Sequence, residues 1–416
     1  MRTPPDRPGG DRHHTAPQEP LSVVIGAGGT GGHIYPGLAL AEALRRAEPD
    51  AVISFVGTER GLETRLVPQA GYPLHTLDMI PFDRALGARR YLLPAALLRA
   101  GAQARAVLRD QRAQVAVGMG GYASAPAVVG ARLAGLPSLV HESNAVPGRA
   151  NRFAARLTPH VALAFDRSRT HLSGGADAET VGMPIAAPLA QLGRTARTDP
   201  GAFARLRERA RGALRVPPGA RLVLVAGGSL GADRLTRAAV ELAGHWRAQR
   251  RDDVHVLIKT GPAALSGARA RLAAVDGDER TARAVAYLDR MDLAYAASDV
   301  VICRAGSATV AELATVGVPA VLVPYPHAPG DHQRHNARVL TEQGAGLLLP
   351  DADTSGDSLA ALLEPLLADP RRLAAMTGAA DPGTHGAAAD LLAARVRALA
   401  APTAPSRHPR EERSIA

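Results

Sequence analysis

At 416 residues the chain is too long for one ordinary core, so two domains are the expectation. With 46% hydrophobic and 21% charged residues it reads as globular; no apolar run approaches the roughly 20 residues of a membrane-spanning helix, and one cysteine, Cys303, excludes an internal disulfide and suits a reducing, cytosolic setting. The net charge of +10 rests almost wholly on arginine, Lys259 being the one lysine, while 3% aromatics and no helix-turn-helix, zinc-finger or RNP-type pattern point away from nucleic acid and towards an anionic membrane face or a phosphorylated ligand.

Residues 1–20 carry no apolar h-region of a secretory signal and read as a disordered tail. Structure begins with SVVIGAGGTGGHIYPGL (residues 22–38), where the strand Val23-Val24-Ile25 runs into a glycine-rich loop. Leu38, Leu40, Ala41 and Leu44 then recur at helical spacing. Glycines permit positive φ and close approach of a ligand, and the helix start behind them favours an anion, so this is a phosphate-binding loop. A second strand covers residues 51–57. Residues 80–112 mix Leu, Phe and Tyr with seven arginines. They suit either a basic amphipathic segment on an anionic membrane or a core helix with a solvated basic face.

Residues 114–148 repeat the design: strand Val115–Val117, a loop with Gly118, Gly120 and Gly121, a helix opening at Ser124-Ala125-Pro126, and a strand over residues 136–140. That strand delivers His141, Glu142, Ser143 and Asn144 at its carboxyl end, where doubly wound sheets keep their chemistry. Between Val181 and Pro218 prolines and an arginine-rich helix break the pattern, and the domain boundary falls near residues 184–190. A second half restates the first, with strand, glycine loop and helix over residues 221–238, strands at residues 255–262, 300–303 and 320–323, and a helix opening beyond Gly306-Ser307. Two such halves imply an α/β protein of two facing Rossmann-like domains with a cleft between them.

Gly26-x-Gly28-x-x-Gly31 matches the dinucleotide fingerprint, but the acid expected beyond the second strand is Glu59, followed at once by Arg60. An NAD(P)-dependent oxidoreductase therefore stands as an alternative, and the absence of GK[ST] excludes a Walker A loop. No metal site is expected: His13-His14 lies in the tail, and the acid pairs Asp276/Asp278 and Asp351/Asp353 lie in apparent loops where acids are usually just solvated. His33, beside the first loop, is a candidate general base because its charge changes near neutral pH. Glu142 is a second candidate, or else a buried partner of His141 or an arginine. Glu312, in the first turns of the second-half helix, can accept both hydroxyls of a ribose while the N–H groups above it hold phosphate. His332, Gln333 and Asn336 can read a sugar.

In family order over about residues 21 to 350, the motifs GGTGGHIYPGLALAEAL, GTERGLETRLVPQAGY, GMGGYASAPAVVGARLAGLPSLVHESNAVPGRAN, GGSLGA, DRMDLAYAASDVVICRAGSATVAELATVGVPAVLVPYP and DHQRHNA resemble those of the MurG-type glycosyltransferases. The resemblance implies a GT-B fold, inverting transfer of N-acetylglucosamine from UDP-N-acetylglucosamine to an undecaprenyl-linked muramyl-pentapeptide, no metal or other cofactor, and peripheral attachment to the cytoplasmic membrane face. It places an acceptor and membrane domain at residues 21–185 and a UDP-sugar domain at 186–375. A helical segment at 376–400 returns to the first domain, and a tail covers 401–416. Thr30, Gly31 and Gly32 would meet the donor and pyrophosphate, with Gly120, Gly121 and Tyr122 on the acceptor side. Asn144, Ser229 and the Leu288 backbone would hold the donor. Ser307, Ala308, Thr309, Val310, Ala311 and Glu312 would hold its diphosphate and ribose, and His332 and Gln333 its sugar. His33 and Glu142 match the catalytic candidates. Three positions depart from the family pattern: Met183 for an Asn, Ala186 for an Arg and Leu230 for a Gln. A paralogue with another donor or acceptor, or a non-catalytic UDP-sugar binder, is the accompanying alternative.

Overall fold

Strands buried on both faces read as continuous apolar runs because helices cover each side of a parallel sheet. The computed structural model describes residues 19–79, 92–227, 232–277 and 279–401. Its first half holds β1 (Ser22–Gly26), β2 (Val52–Gly57), β3 (Leu74–Thr76), β4 (Val115–Gly118), β5 (Ser138–Glu142), β6 (His160–Leu163) and β7 (Glu179–Thr180) in the order β3-β2-β1-β4-β5-β6-β7. Its helices are α1 (Gly31–Ala47), α2 (Glu63–Gln69), α3 (Leu93–Asp110), α4 (Ser124–Ala134) and α5 (Arg149–Ala154).

The second half begins with α6 (Ala187–Thr198) and α7 (Pro200–Ala213). Its sheet comprises β8 (Arg221–Ala226), β9 (Val254–Lys259), β10 (Ala282–Val285), β11 (Val300–Cys303), β12 (Ala320–Leu322) and β13 (Gly346–Leu348), ordered β10-β9-β8-β11-β12-β13. The helices α8 (Asp233–Ala248), α9 (Leu265–Val275), α10 (Met291–Ala297), α11 (Ser307–Val316), α12 (His332–Gln343), α13 (Gly356–Ala368) and α14 (Pro370–Ala379) complete it, and α15 (Ala388–Ala400) follows in the chain. Every strand pair is parallel, so both halves are doubly wound and the expected two-domain α/β architecture is present. The last predicted strand stops one residue early, at Leu322, and Ser307, read as part of a turn, is the first residue of α11.

In the first half α1 and α15 cover one face of the sheet, where Leu40 and Leu44 share a core with Leu392, Ala393 and Val396. The chain thus crosses between the halves twice, after β7 and again after α14. Both crossings are pinned by histidines. The Met183 amide donates to His385 Nδ1 at 2.9 Å, and His141 Nε2 donates to the Gly182 carbonyl at 3.0 Å. Gly182 has φ +88°, and a Cβ there would strike the Thr384 hydroxyl and the His385 amide.

On the opposite face α3 packs closely on α4: a Cβ on Gly101 would hit Val129, and one on Gly130 would hit Ala104. Ala100, Gly101, Ala104 and Leu108 are buried, while Leu92, Leu98, Arg99 and Arg109 point outward. The basic segment read over 80–112 is therefore a core-packed helix from residue 93, with an apolar and basic outer face; residues 80–91 of it lie outside the described residues. The two tails lie outside them as well, apart from residues 19, 20 and 401.

Candidate active site

β1 ends at Gly26, and Gly29, with φ +87°, turns the chain before α1. Thr30 stands extended as the N-cap without capping by its side chain, so the first amides of α1 are open to an anion. The second glycine loop packs against this one. Gly120 and Gly121 have φ +99° and +74°; a Cβ on the first would run into the His33 imidazole, and one on the second into the Gly28 carbonyl. Tyr122 lies against Gly29. The residues read as acceptor-side thus form the wall behind His33.

Burial pulls the pKa of His33 down to about 4; His332 lowers it further, while Gly28 and Glu63 oppose the shift. His33 is a neutral imidazole at physiological pH, and its buried Nδ1 has no protein partner.

Glu142, the last residue of β5, is enclosed. It is 1% exposed, and four donors engage it: the Asn144 amide (2.8 Å) and side chain (3.4 Å) on Oε1, the Gly148 amide (3.2 Å) and the Asn151 side chain (3.0 Å) on Oε2. Burial raises its pKa and these donors oppose the rise. Its oxygens are committed to the loop after β5 and to Asn151 on α5. It does not pair with His141, whose ring nitrogens face Gly182 and Ser143.

In the second half α11 opens at Gly306, again without side-chain capping. Here the predicted phosphate contacts narrow. The Val310 amide already donates to the Gly306 carbonyl, and Val310 and Ala311 are fully buried. The open amides are those of Ser307, Ala308 and Thr309. One turn on, Glu312 accepts from the Tyr295 hydroxyl at 2.9 Å. Burial raises its pKa to about 7, with Tyr295 and Lys259 lowering it.

Lys259 and Tyr287 were not singled out from the sequence. The Lys259 ammonium lies 5.4 Å from the centre of the Tyr287 ring, and Tyr287 precedes Leu288, whose side chain packs on the core of the second half. The Tyr35 hydroxyl, on α1, stands 3.1 Å from that of Tyr287. A lone lysine and scattered tyrosines carry no sequence pattern; only the β9 edge and the loop after β10 bring them to Glu312.

Asn336 also differs from its sequence reading. It is fully buried, accepting from the Ala145 amide at 2.9 Å and donating to Asn144 Oδ1 at 3.2 Å and the Ala305 carbonyl at 3.3 Å. It joins the halves: both of its N–H donors are used, and its oxygen is buried against the Ala145 amide. Gln333 accepts from the Tyr325 amide at 2.9 Å, and His332 Nδ1 faces the Pro329 carbonyl at 2.9 Å; both side chains remain partly exposed.

Among the described residues no three His, Cys, Asp or Glu side chains group to hold a metal ion. Asp351 lies between Arg304 (2.6 Å) and Arg234 (3.4 Å), and buried Asp276 accepts from the Thr281 and Ala282 amides. Ser229, Leu230, Asp278 and His13-His14 lie outside the described residues.

Two doubly wound domains meeting at their carboxyl edges, each offering an open helix N-terminus, form the GT-B architecture, which suits a ligand carrying a diphosphate. The glycosyltransferase family 28 N-terminal domain matches residues 23–163, and the C-terminal domain of the same family matches residues 222–393. Two relatives bear the name UDP-N-acetylglucosamine–N-acetylmuramyl-(pentapeptide) pyrophosphoryl-undecaprenol N-acetylglucosamine transferase. One, from a Nocardioides species, is 43% identical over 86% of this chain and 93% of its own length. The other, from Mycolicibacterium smegmatis, is 42% identical over 91% and 94%. The crystal structure of Acinetobacter baumannii MurG superposes with a TM-score of 0.71 at 28% identity, covering 91% of this chain and all of that one. The chain belongs to the MurG-type enzymes of glycosyltransferase family 28.

Proposed function

We propose that this enzyme transfers N-acetylglucosamine from UDP-N-acetylglucosamine to the muramyl 4-hydroxyl of undecaprenyl-pyrophosphoryl-MurNAc-pentapeptide, with inversion, at an anionic membrane surface on the cytoplasmic side. The observation that carries the reading is the pair of open helix N-termini, α1 and α11, on sheet edges joined through Asn144 and Asn336, with neutral His33 at one of them. The second domain holds the nucleotide: Glu312 accepts the ribose hydroxyls, the Leu288 backbone meets the uracil, and the Ser307–Thr309 amides face the diphosphate. The first domain presents the acceptor. His33 takes the proton of the attacking hydroxyl as its oxygen forms the new bond at the anomeric carbon. The bond to UDP breaks, and the α11 dipole and amides stabilise the charge that develops on the leaving diphosphate.

No helix among the described residues is long and apolar enough to cross a membrane. The outer face of α3, with exposed Leu92 and Leu98 beside Arg99 and Arg109, supports binding to an anionic lipid surface from one side. Sedimentation with anionic but not neutral vesicles, lost in Leu98→Asp, tests that part.

Incubation with radiolabelled UDP-N-acetylglucosamine and the lipid-linked acceptor tests the reaction. Transfer supports it; no transfer by folded protein that binds UDP overturns it. A second reading keeps the chemistry and changes the donor. Ala186, exposed at the start of α6, offers no cation to a bound nucleotide sugar, and exchanging the UDP-sugar in the same assay decides the matter.

A further inference from the structure

Glu63 is the first residue of α2 and is fully buried, yet no cation pairs with it among the described residues. Its Oε1 accepts from the Thr58 amide at 3.0 Å and the Thr58 hydroxyl at 2.8 Å, and its Oε2 accepts from the Gly29 amide at 2.9 Å. Gly28, Gly57 and Gly61 line it so tightly that a Cβ on any of them would meet the Glu63 side chain. Three glycines and a threonine, drawn from the β1 and β2 exits, therefore enclose one carboxylate behind the first glycine loop.

Burying an unpaired carboxylate is costly, and a neutral acceptor would satisfy the Gly29 amide with a smaller desolvation penalty. The charge, as well as the hydrogen bond, has a use at this place. Gly29 sits at φ +87°, and holding its N–H inward leaves the following amides of α1 directed at the cleft. We propose that Glu63 is a positioning residue of the transfer site: its carboxylate clamps Gly29, fixes the loop that presents His33 and the α1 N-terminus to the acceptor, and places a negative charge behind the imidazole. That charge favours the imidazolium that forms when His33 accepts a proton, against His332 and His141, the other titratable groups interacting with the ring. The inference rests on the reading of His33 as base.

Glu63→Gln is the direct test, read as kcat per UDP-binding site so that any misfolded fraction is left out. An amide keeps one acceptor oxygen, so either Gly29 or Thr58 loses its partner, and the charge is gone. The expected result is a fall in kcat of about 10- to 100-fold from loop misplacement, with UDP affinity within about 3-fold because the nucleotide sits on the other domain. Glu63→Asp restores the charge on a shorter arm and should recover part of kcat; should Glu63→Gln fail to fold, Glu63→Asp is compared with wild type for the same kcat loss. A wild-type kcat per UDP-binding site in the variant read would overturn the proposal. The two readings fail separately: a fully active His33→Ala removes the base, whereas an inactive His33→Ala beside a fully active Glu63→Gln removes Glu63 alone.

Discussion

Asn144 and Asn336, 192 positions apart, meet through a 3.2 Å side-chain hydrogen bond that joins the exit of β5 to helix α12. The second half of the Asn336 amide holds the Ala145 amide, so this one buried side chain serves both domains. Replacing it leaves polar groups at the junction without a protein partner. Asn336→Ala should destabilise the protein by about 1–3 kcal/mol, and Asn336→Asp, which lacks the NH2 donor, by a similar amount. Urea unfolding measures both. An unchanged midpoint would mean that water replaces the amide at no loss.

His33→Ala should lower kcat by about 100- to 10,000-fold with UDP affinity unchanged, since only the proton acceptor for the attacking hydroxyl is removed. Turnover and isothermal titration with UDP on one preparation separate the two quantities. A variant with full turnover takes His33 out of the chemistry.

Glu312 has its pKa raised to about 7, so it changes charge in the physiological range. A carboxylate accepts two ribose hydroxyls, whereas its protonated form loses one acceptor site. The donor KM should therefore rise as pH falls through about 7, with kcat less affected. Lys259 favours the ionised form, so Lys259→Met should move this transition to higher pH. KM profiles from pH 6 to 9 for the two proteins check the direction, and superimposable profiles would refute the coupling.

His141 and His385, which pin the two crossings, are both pulled down by burial to about 4 from an ordinary value of 6.5. The unfolded chain takes up protons on them as pH falls below about 6.5, while the folded chain stays unprotonated there until about 4. Stability contributed by the neutral rings is complete above pH 6.5 and is lost progressively between 6.5 and 4. Unfolding midpoints at pH 7.5, 6 and 5 should fall in that order. His385→Gln should be less stable than wild type at pH 7.5 and lose less between pH 7.5 and 5, because one of the burial-lowered titrations is gone.

Much of the fold was legible because its signals are local. A strand covered on both faces must be apolar throughout, as Val23–Ile25 and Val300–Cys303 are, and a loop that turns at positive φ before an open helix end calls for glycine. The short strands β3, β6, β7, β10 and β13 escaped because two to four residues set no period. Around the site, positions were legible and roles were not. His33 and Glu142 were both candidates for a base, since both lie near the ligand-binding edge of the first sheet.

From the sequence alone follow two doubly wound halves, their glycine loops, the helix ends that suit a diphosphate, and through its motifs the MurG-type family. Only the tertiary structure decided what each polar side chain does. It surrounded Glu142 with four donors, placed Asn336 at the domain junction, and buried Val310 and Ala311. It also brought Lys259 to Tyr287 and Glu312, and Glu63 to Gly29. Backbone preferences act between neighbours in the chain, whereas the protonation and availability of a side chain depend on burial and on partners that folding brings from far away, as it brings Glu63 to Gly29 beneath the first glycine loop.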